Sequence, residues 1–224
     1  MHIPSSLDIA MPMQMRLNGS VPPGFKELQE GRMKVKSAIE CVCGKIGEFK
    51  ILDEKLVPYG LKPIARSISW LVEQLVVQNL RKYKDECGVM EVEDPPHGLT
   101  QYDCVLSLKN HVKKYYINVK TSLMVTEETG NFDISKASKL IRLYEENPDI
   151  MLLVAIVKVG IEGVRVKFDK VILFNVAWVP SIYYNRANHN LQSTADGVQT
   201  PRSNKEFVEE LKRQMREAGH LEHY

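Results

Sequence analysis

Two stretches near the middle of the chain carry residue types suited to chemistry on a phosphate. "QYDCVLSL" holds a lone carboxylate, Asp103, and "YYINVKTS" holds an amide, Asn118, and an ammonium, Lys120. Both alternate aromatic or β-branched residues with polar ones, the pattern of half-buried strands. A side-chain period of two puts Asn118 and Lys120 on one face, and antiparallel pairing brings Asp103 beside them. An acid, a second oxygen and an ammonium at one strand end suit hydrolysis of a phosphodiester. Asp103 can hold Mg²⁺, which takes few protein oxygens and keeps its waters. The metal acidifies a bound water and offsets charge on the scissile phosphate. Lys120 orients that water and neutralises the developing charge.

The elements that must position these groups are readable along the chain. Residues 1–21 read as a loose, Met-rich arm, followed by 22–224 as one domain. "PPGFKELQEGRMKVKSAIECVCGKIGEFKIL" is built of helix formers, with Met33, Ile39, Val42 and Ile46 near one stripe. Pro58 and Gly60 break the pattern. "LKPIARSISWLVEQLVVQNLRKYK" predicts a second helix whose buried face is Ile64, Ile68, Leu71, Leu75 and Leu80, with Gly88 as its stop. Trp70 and Trp178 read as core residues.

After "VMEVED" and a Pro-Pro-His-Gly break come the two candidate strands, joined by "KNHVKK". "EETGNFD" reads as a loop and "ISKASKLIRLYEENPD" as a helix ending before Pro148. "IMLLVAIVKV" is a buried strand that turns at 161–163 into "VRVKFDKVILFNV". Residues 178–201 read as a long polar loop. Residues 203–218 close the chain as an amphipathic helix, with Ser203 and Glu206 as a capping box and Phe207, Leu211 and Met215 as its stripe. The order predicts an α/β fold with a mixed central sheet flanked by helices.

Bulk properties narrow the function classes. The 224 residues can bury a real core, and 44% hydrophobic with 26% charged residues is a globular balance. A net charge of +2 sets no global field, although a basic cleft is compatible with an acidic outer surface at Glu145, Glu146, Glu206, Glu209 and Glu210. No basic stretch followed by an apolar run marks a signal peptide, and no apolar run is long enough to span a bilayer. Cys41, Cys43, Cys87 and Cys104 lack metal-site spacing and read as free thiols in a reducing cytosol, so the expected location is cytoplasmic.

The succession of a helix with a glutamate, a strand with an aspartate, a hairpin, a strand with x-x-Lys and a helix resembles the PD-(D/E)xK nucleases, over residues 64–191. Within that superfamily the chain is most similar to type II restriction endonucleases. The resemblance implies a restriction endonuclease-like core at about 64–176 and Mg²⁺-dependent cleavage of double-stranded DNA at a short, palindromic site. It also implies a homodimer that matches the site's two-fold symmetry, and a cognate DNA methyltransferase in the same system. On it, Asp103 matches the metal-binding aspartate, Lys120 the catalytic lysine, and Glu73 the accessory acid completing the metal site. Two positions depart from the pattern. Tyr102 stands where proline is usual, and Asn118 where a second carboxylate is expected. An amide oxygen binds a cation more weakly, and Glu73, Glu91 or Glu93 are the acids available to compensate.

DNA contacts are expected from three places. Lys109, His111, Lys113 and Lys114 cluster on the hairpin between the two strands, either to reach phosphates or to keep an edge soluble. Ser135, Lys136 and Lys139 open the following helix, where phosphate binds readily. Asn185, Arg186, Asn188, His189, Asn190 and Gln192 offer base-reading amides and a guanidinium within one short loop. The same residues also suit a polar loop built of Asx turns, with Tyr183 and Tyr184 anchoring it. Two other readings stay open: a structure-specific nuclease of the junction-resolving or repair type, and a non-cleaving DNA-binding protein on the same fold, for which Asn118 speaks.

Overall fold

The computed structural model describes residues 24–56, 65–96, 100–124, 132–193 and 199–220. The expected arm at 1–21, the break at Pro58 and Gly60, Ile64, and most of the "EETGNFD" loop lie outside them. The first helix, α1 (Phe25–Ile46), is followed by a short edge strand, β1 (Glu48–Lys50), where the sequence suggested continuing helix. Gly47, at φ 64°, ends the helix, a backbone conformation that costs a residue without a Cβ little. Its buried stripe is Val35, Ala38, Ile39 and Val42, and Met33 lies outside it, exposed.

Helix α2 (Ala65–Lys82) buries Ile68, Val72, Val76, Val77 and Leu80. This stripe is rotated from the expected one, and Leu71 and Leu75 sit at its margin. At 100° per residue the rotation carries Trp70 out of the core, where it is 69% exposed. Trp178 is buried as expected. A disulfide joins Cys41 in α1 to Cys87 in the turn after α2, with Cα atoms 5.8 Å apart. That corrects the reading of four free thiols, because only the packing of α1 on α2 brings those two cysteines together. Cys43 and Cys104 remain free and buried, and burial pushes both thiols up to about 12, so they serve as core residues.

Strands β2 (Val89–Glu93), β3 (Cys104–Leu108), β4 (Lys114–Leu123), β6 (Leu152–Glu162) and β7 (Arg165–Asn175) join β1 in one six-stranded sheet ordered β1-β7-β6-β4-β3-β2. Only β4 and β6 run parallel. A parallel pair needs a long crossover, and here it passes through β5 (Phe132–Lys136) and α3 (Ala137–Glu146). The expectation of helix from Ile134 onward is corrected: Ile134, Ser135 and Lys136 are strand, and α3 begins only at Ala137.

The expected loop at 178–201 is corrected as well. It contains β8 (Tyr183–Asn185) and β9 (Asn190–Ser193), which form a hairpin and pair through β9 with β5 in a second, three-stranded sheet. Two strands so short, and so rich in Asn and Gln, carry little apolar alternation by themselves. Helix α4 (Asn204–Glu217) has the expected capping box: the Glu206 amide donates to Ser203 Oγ at 3.2 Å, and the Ser203 amide to Glu206 Oε2 at 2.7 Å. Phe207 stacks edge-on against Tyr144 of α3, 5.2 Å between ring centres. Gln214 ties the helix to the hairpin, accepting from the Tyr184 amide and donating to the Ile182 carbonyl.

One close approach sets α1 on the sheet. Gly31 lies against the Tyr115 ring of β4, and a Cβ there would overlap the phenol oxygen. Tyr115 is almost fully buried and precedes Asn118 and Lys120 on the same strand. Gly31→Ala is therefore expected to destabilise the protein by roughly 1–3 kcal/mol through overpacking, against a smaller gain in helix propensity. Urea denaturation checks this, and a stability equal to or above the parent's contradicts it.

Candidate functional site

The site forms where β3 begins and β4 is in mid-course. The backbone at Asp103 joins the ladder early, its amide donating to the Ile117 carbonyl at 2.7 Å. Its carboxylate then takes the place of a strand, Oδ2 accepting from the Val119 amide at 2.6 Å. Asn118 holds the preceding residues in the same way, its Nδ2 donating to the Gln101 carbonyl at 2.9 Å. Segment 101–103 is thus fastened to β4 by one side chain in each direction.

Electrostatics gathers the expected groups at this spot. Burial raises the Asp103 carboxyl above the usual range, against the pull of the Val119 hydrogen bond and the Lys120 charge. Glu73, on α2, is raised first by burial and then by the nearby Asp103 charge, again opposed by Lys120. Helix α2 packs on β4, and the Thr121 hydroxyl reaches the Ser69 carbonyl one turn before Glu73. Two half-buried carboxylates, both felt by the Lys120 charge, are oxygen groups of the kind that could hold a hard cation. Among the described residues no group of three His, Cys, Asp or Glu is placed to hold a metal, so a cation here would rest on two acids and water. Glu91 and Glu93 lie on edge strand β2, and Glu93 pairs with Lys114.

The residues expected to touch DNA divide into two groups. On the β3–β4 connection Lys109 is paired with Asp85 at 2.9 Å and Lys114 with Glu93, while His111 lies 2.8 Å from the Lys34 ammonium. Lys113 is exposed beside them, and Lys139 is exposed on α3. Lys136 ends β5 and donates to the Asn188 carbonyl at 2.5 Å.

Along the β8–β9 hairpin the amides largely hold the hairpin itself. Asn185 Oδ1 accepts from the Ala187 amide at 2.9 Å and Asn188 Oδ1 from the Asn190 amide at 3.1 Å, both Asx turns. His189, at φ 57°, sets Nδ1 2.6 Å from the Tyr184 hydroxyl. Tyr184 is buried and anchors the hairpin, whereas Tyr183 is half exposed. The Arg186 side chain is exposed.

Sequence reasoning did not single out Asp133 or Gln101, and it read Ser135 as opening a helix at a phosphate rather than as a partner of Gln101. Asp133 accepts Gln192 Nε2 at 2.6 Å and Asn188 Nδ2 at 2.9 Å. Burial would push its carboxyl up, but the bonds from Gln192, Asn190 and Asn188, with the Lys120 charge, hold it below the usual range. The Ser135 hydroxyl bonds Gln101 Oε1. No local signal marks these contacts, because each partner comes from a distant part of the chain.

No protein-family model matches the chain, and no curated protein matches it in sequence. Among solved structures it is similar to NlaIV restriction endonuclease, with a TM-score of 0.50 and 13% identity over 85% of this chain and 87% of that one. The likeness is one of fold. The chain has a mixed α/β architecture, a curled mixed central sheet flanked by helices, matching that of a restriction endonuclease.

Proposed function

We propose that the protein is a PD-(D/E)xK nuclease that hydrolyses phosphodiester bonds of double-stranded DNA at a short, palindromic site, as a type II restriction endonuclease. The observation that carries this reading is the meeting of Asp103, Glu73 and Lys120 at one end of the β3–β4 pair. The fold shared with NlaIV restriction endonuclease supports it.

The donor set fits Mg²⁺: two acids disfavoured by burial, with Glu73 raised further by the Asp103 charge, are relieved by a divalent charge, and the remaining positions are left to water. Asp103 and Glu73 would hold the cation, with the Asn118 amide oxygen as a weaker, uncharged addition. When bound, the cation supplies Lewis acidity toward the phosphate and lowers the pKa of a ligated water.

The chain's own groups do the rest. Asp103 is held rigid by the Val119 amide, so its second oxygen keeps a set direction. Lys120, an ammonium at the same site, aligns the attacking water and offsets charge on the pentacovalent phosphate. The β8–β9 hairpin, with Asn185, Arg186, Asn188, His189, Asn190 and Gln192, would enter the major groove, and Lys113, Lys136 and Lys139 would meet phosphates. A homodimer would present one such site to each strand of a palindrome. Cytoplasmic location and a cognate methyltransferase in the same system, with no physical association required, belong to the same reading. Among the described residues no helix is long and apolar enough to cross a membrane.

Incubation of the purified protein with a sequenced plasmid and Mg²⁺ is expected to yield a few discrete fragments, and EDTA to abolish them. Lys120→Ala should slow cutting by at least about 100-fold while leaving a gel shift in Ca²⁺ within a few-fold of wild type. Equal cutting by the variant would remove Lys120 from the chemistry. An intact plasmid with a retained shift would favour the non-cleaving DNA-binding protein.

The raised acids give a second expectation. Cleavage needs both carboxylates ionised, so its rate should fall with decreasing pH at a point above the ordinary carboxylate range. For stability the sign reverses. A carboxyl whose folded-state pKa exceeds its unfolded value makes stability fall as pH rises between the two, and the loss is complete above the folded one. Asp103→Asn keeps an oxygen for the Val119 amide and removes the buried charge. At neutral pH without metal it should melt above wild type in a thermal scan, and a lower melting temperature would contradict the proposed burial cost.

A further inference from the structure

Strand β5 touches both the hairpin and the catalytic region, through different side chains. On one side Asp133 accepts the amide nitrogens of Gln192 and Asn188 at 2.6 and 2.9 Å. On the other, the Ser135 hydroxyl is hydrogen-bonded to Gln101 Oε1. Gln101 offers its own carbonyl to Asn118 Nδ2 at 2.9 Å and lies two residues before Asp103. The path from hairpin to acid is therefore continuous: Gln192 and Asn188 to Asp133, along β5 to Ser135, across to Gln101, and from there to Asn118 and Asp103. A register shift of β5 against β9 falls between Asp133 and Ser135, so the strand is irregular where its two roles meet.

Two physical points follow from that arrangement. Each of the Gln192 and Asn188 amides commits one of its two N–H groups to Asp133, so turning the whole amide toward a base edge exchanges that acceptor for another. That exchange removes donors from a carboxylate whose charge already interacts with Lys120. Asn118, in turn, acts here as a donor. An aspartate in its place would set a carboxylate against the Gln101 carbonyl, which gives the amide at this position a positive reason.

We infer that β5 couples base reading to cleavage: Asp133 and Ser135 are positioning residues that carry the state of the β8–β9 hairpin on double-stranded DNA to the segment bearing Asp103. The inference rests on the nuclease reading above and names where its site selectivity is generated. Correct contacts at the hairpin are felt in the cutting step itself, beyond what they add to affinity.

The test uses the full-length protein, a duplex carrying a site mapped from the plasmid digest, and duplexes with one base pair of that site changed. Binding is measured by gel shift in Ca²⁺, and cutting under single-turnover conditions in Mg²⁺. For Asp133→Asn, affinity for the mapped site should stay within about threefold of wild type, while the ratio of cutting rates between mapped and altered sites falls about tenfold or more. Asp133→Glu should restore part of that ratio, which a merely packed side chain would not do. Ser135→Ala breaks the same path at a mild substitution and should show the same signature, even where Asp133→Asn lowers stability. If both variants keep the wild-type ratio, or lose binding and cutting by one common factor on all duplexes, the coupling is overturned and the nuclease reading stands. If the wild-type protein cuts no duplex at all, the nuclease reading falls and this inference falls with it.

Discussion

The arrangement depends on a carboxylate, Asp103, set where a strand should continue. Its Oδ2 accepts the Val119 amide at 2.6 Å, and its ionised form is disfavoured by burial. Placing a second half-buried acid, Glu73, within reach adds repulsion that Lys120 only partly offsets. A fold has no stability reason to gather these charges. A site that takes up a divalent cation and a phosphate does, since the unfavourable term disappears when positive charge arrives. Stability is given up locally where the proposed function requires it.

The rest of the structure serves that spot. Strand β4 is paired with β6 along Tyr116–Leu123 and with β3 as far as Ile117, so Asn118, Val119 and Lys120 have a strand on one edge and the Asp103 carboxylate at the other. Helix α1 presses on the strand through Gly31 and Tyr115, and α2 brings Glu73 while its Ser69 carbonyl meets Thr121. The second sheet then stands beside this platform as a separate layer, joined through Gln101 and anchored to α4 by Gln214. The main sheet and the hairpin proposed to read bases are thereby separate layers, linked among the described residues by the Ser135–Gln101 bond.

Much of this was legible in the sequence for identifiable reasons. The alternation in β3 and β4, the long apolar run of β6 and the Ser203–Glu206 box are local signals, and each specifies its element directly. The proposed acid and lysine followed from a period of two on adjacent strands. What escaped depends on distant partners. Residues 134–136 carry no local mark of strand and gain their β form by pairing with β9. The β8–β9 hairpin is too short and polar for its periodicity to register. Trp70 was misplaced by a small error of helical phase, and the Cys41–Cys87 bond exists only once α1 lies on α2. The Asp133 contacts join residues more than fifty positions apart in the chain.

The central claim is that Asp103 and Glu73 together hold a divalent cation beside Lys120. Its most direct test is titration of the protein with Mn²⁺, a spectroscopic stand-in for Mg²⁺, with free ion followed by electron paramagnetic resonance. The account predicts saturable binding by the wild-type chain that weakens sharply in both Asp103→Asn and Glu73→Gln. Binding that is absent from the wild type, or undiminished in both variants, would contradict it.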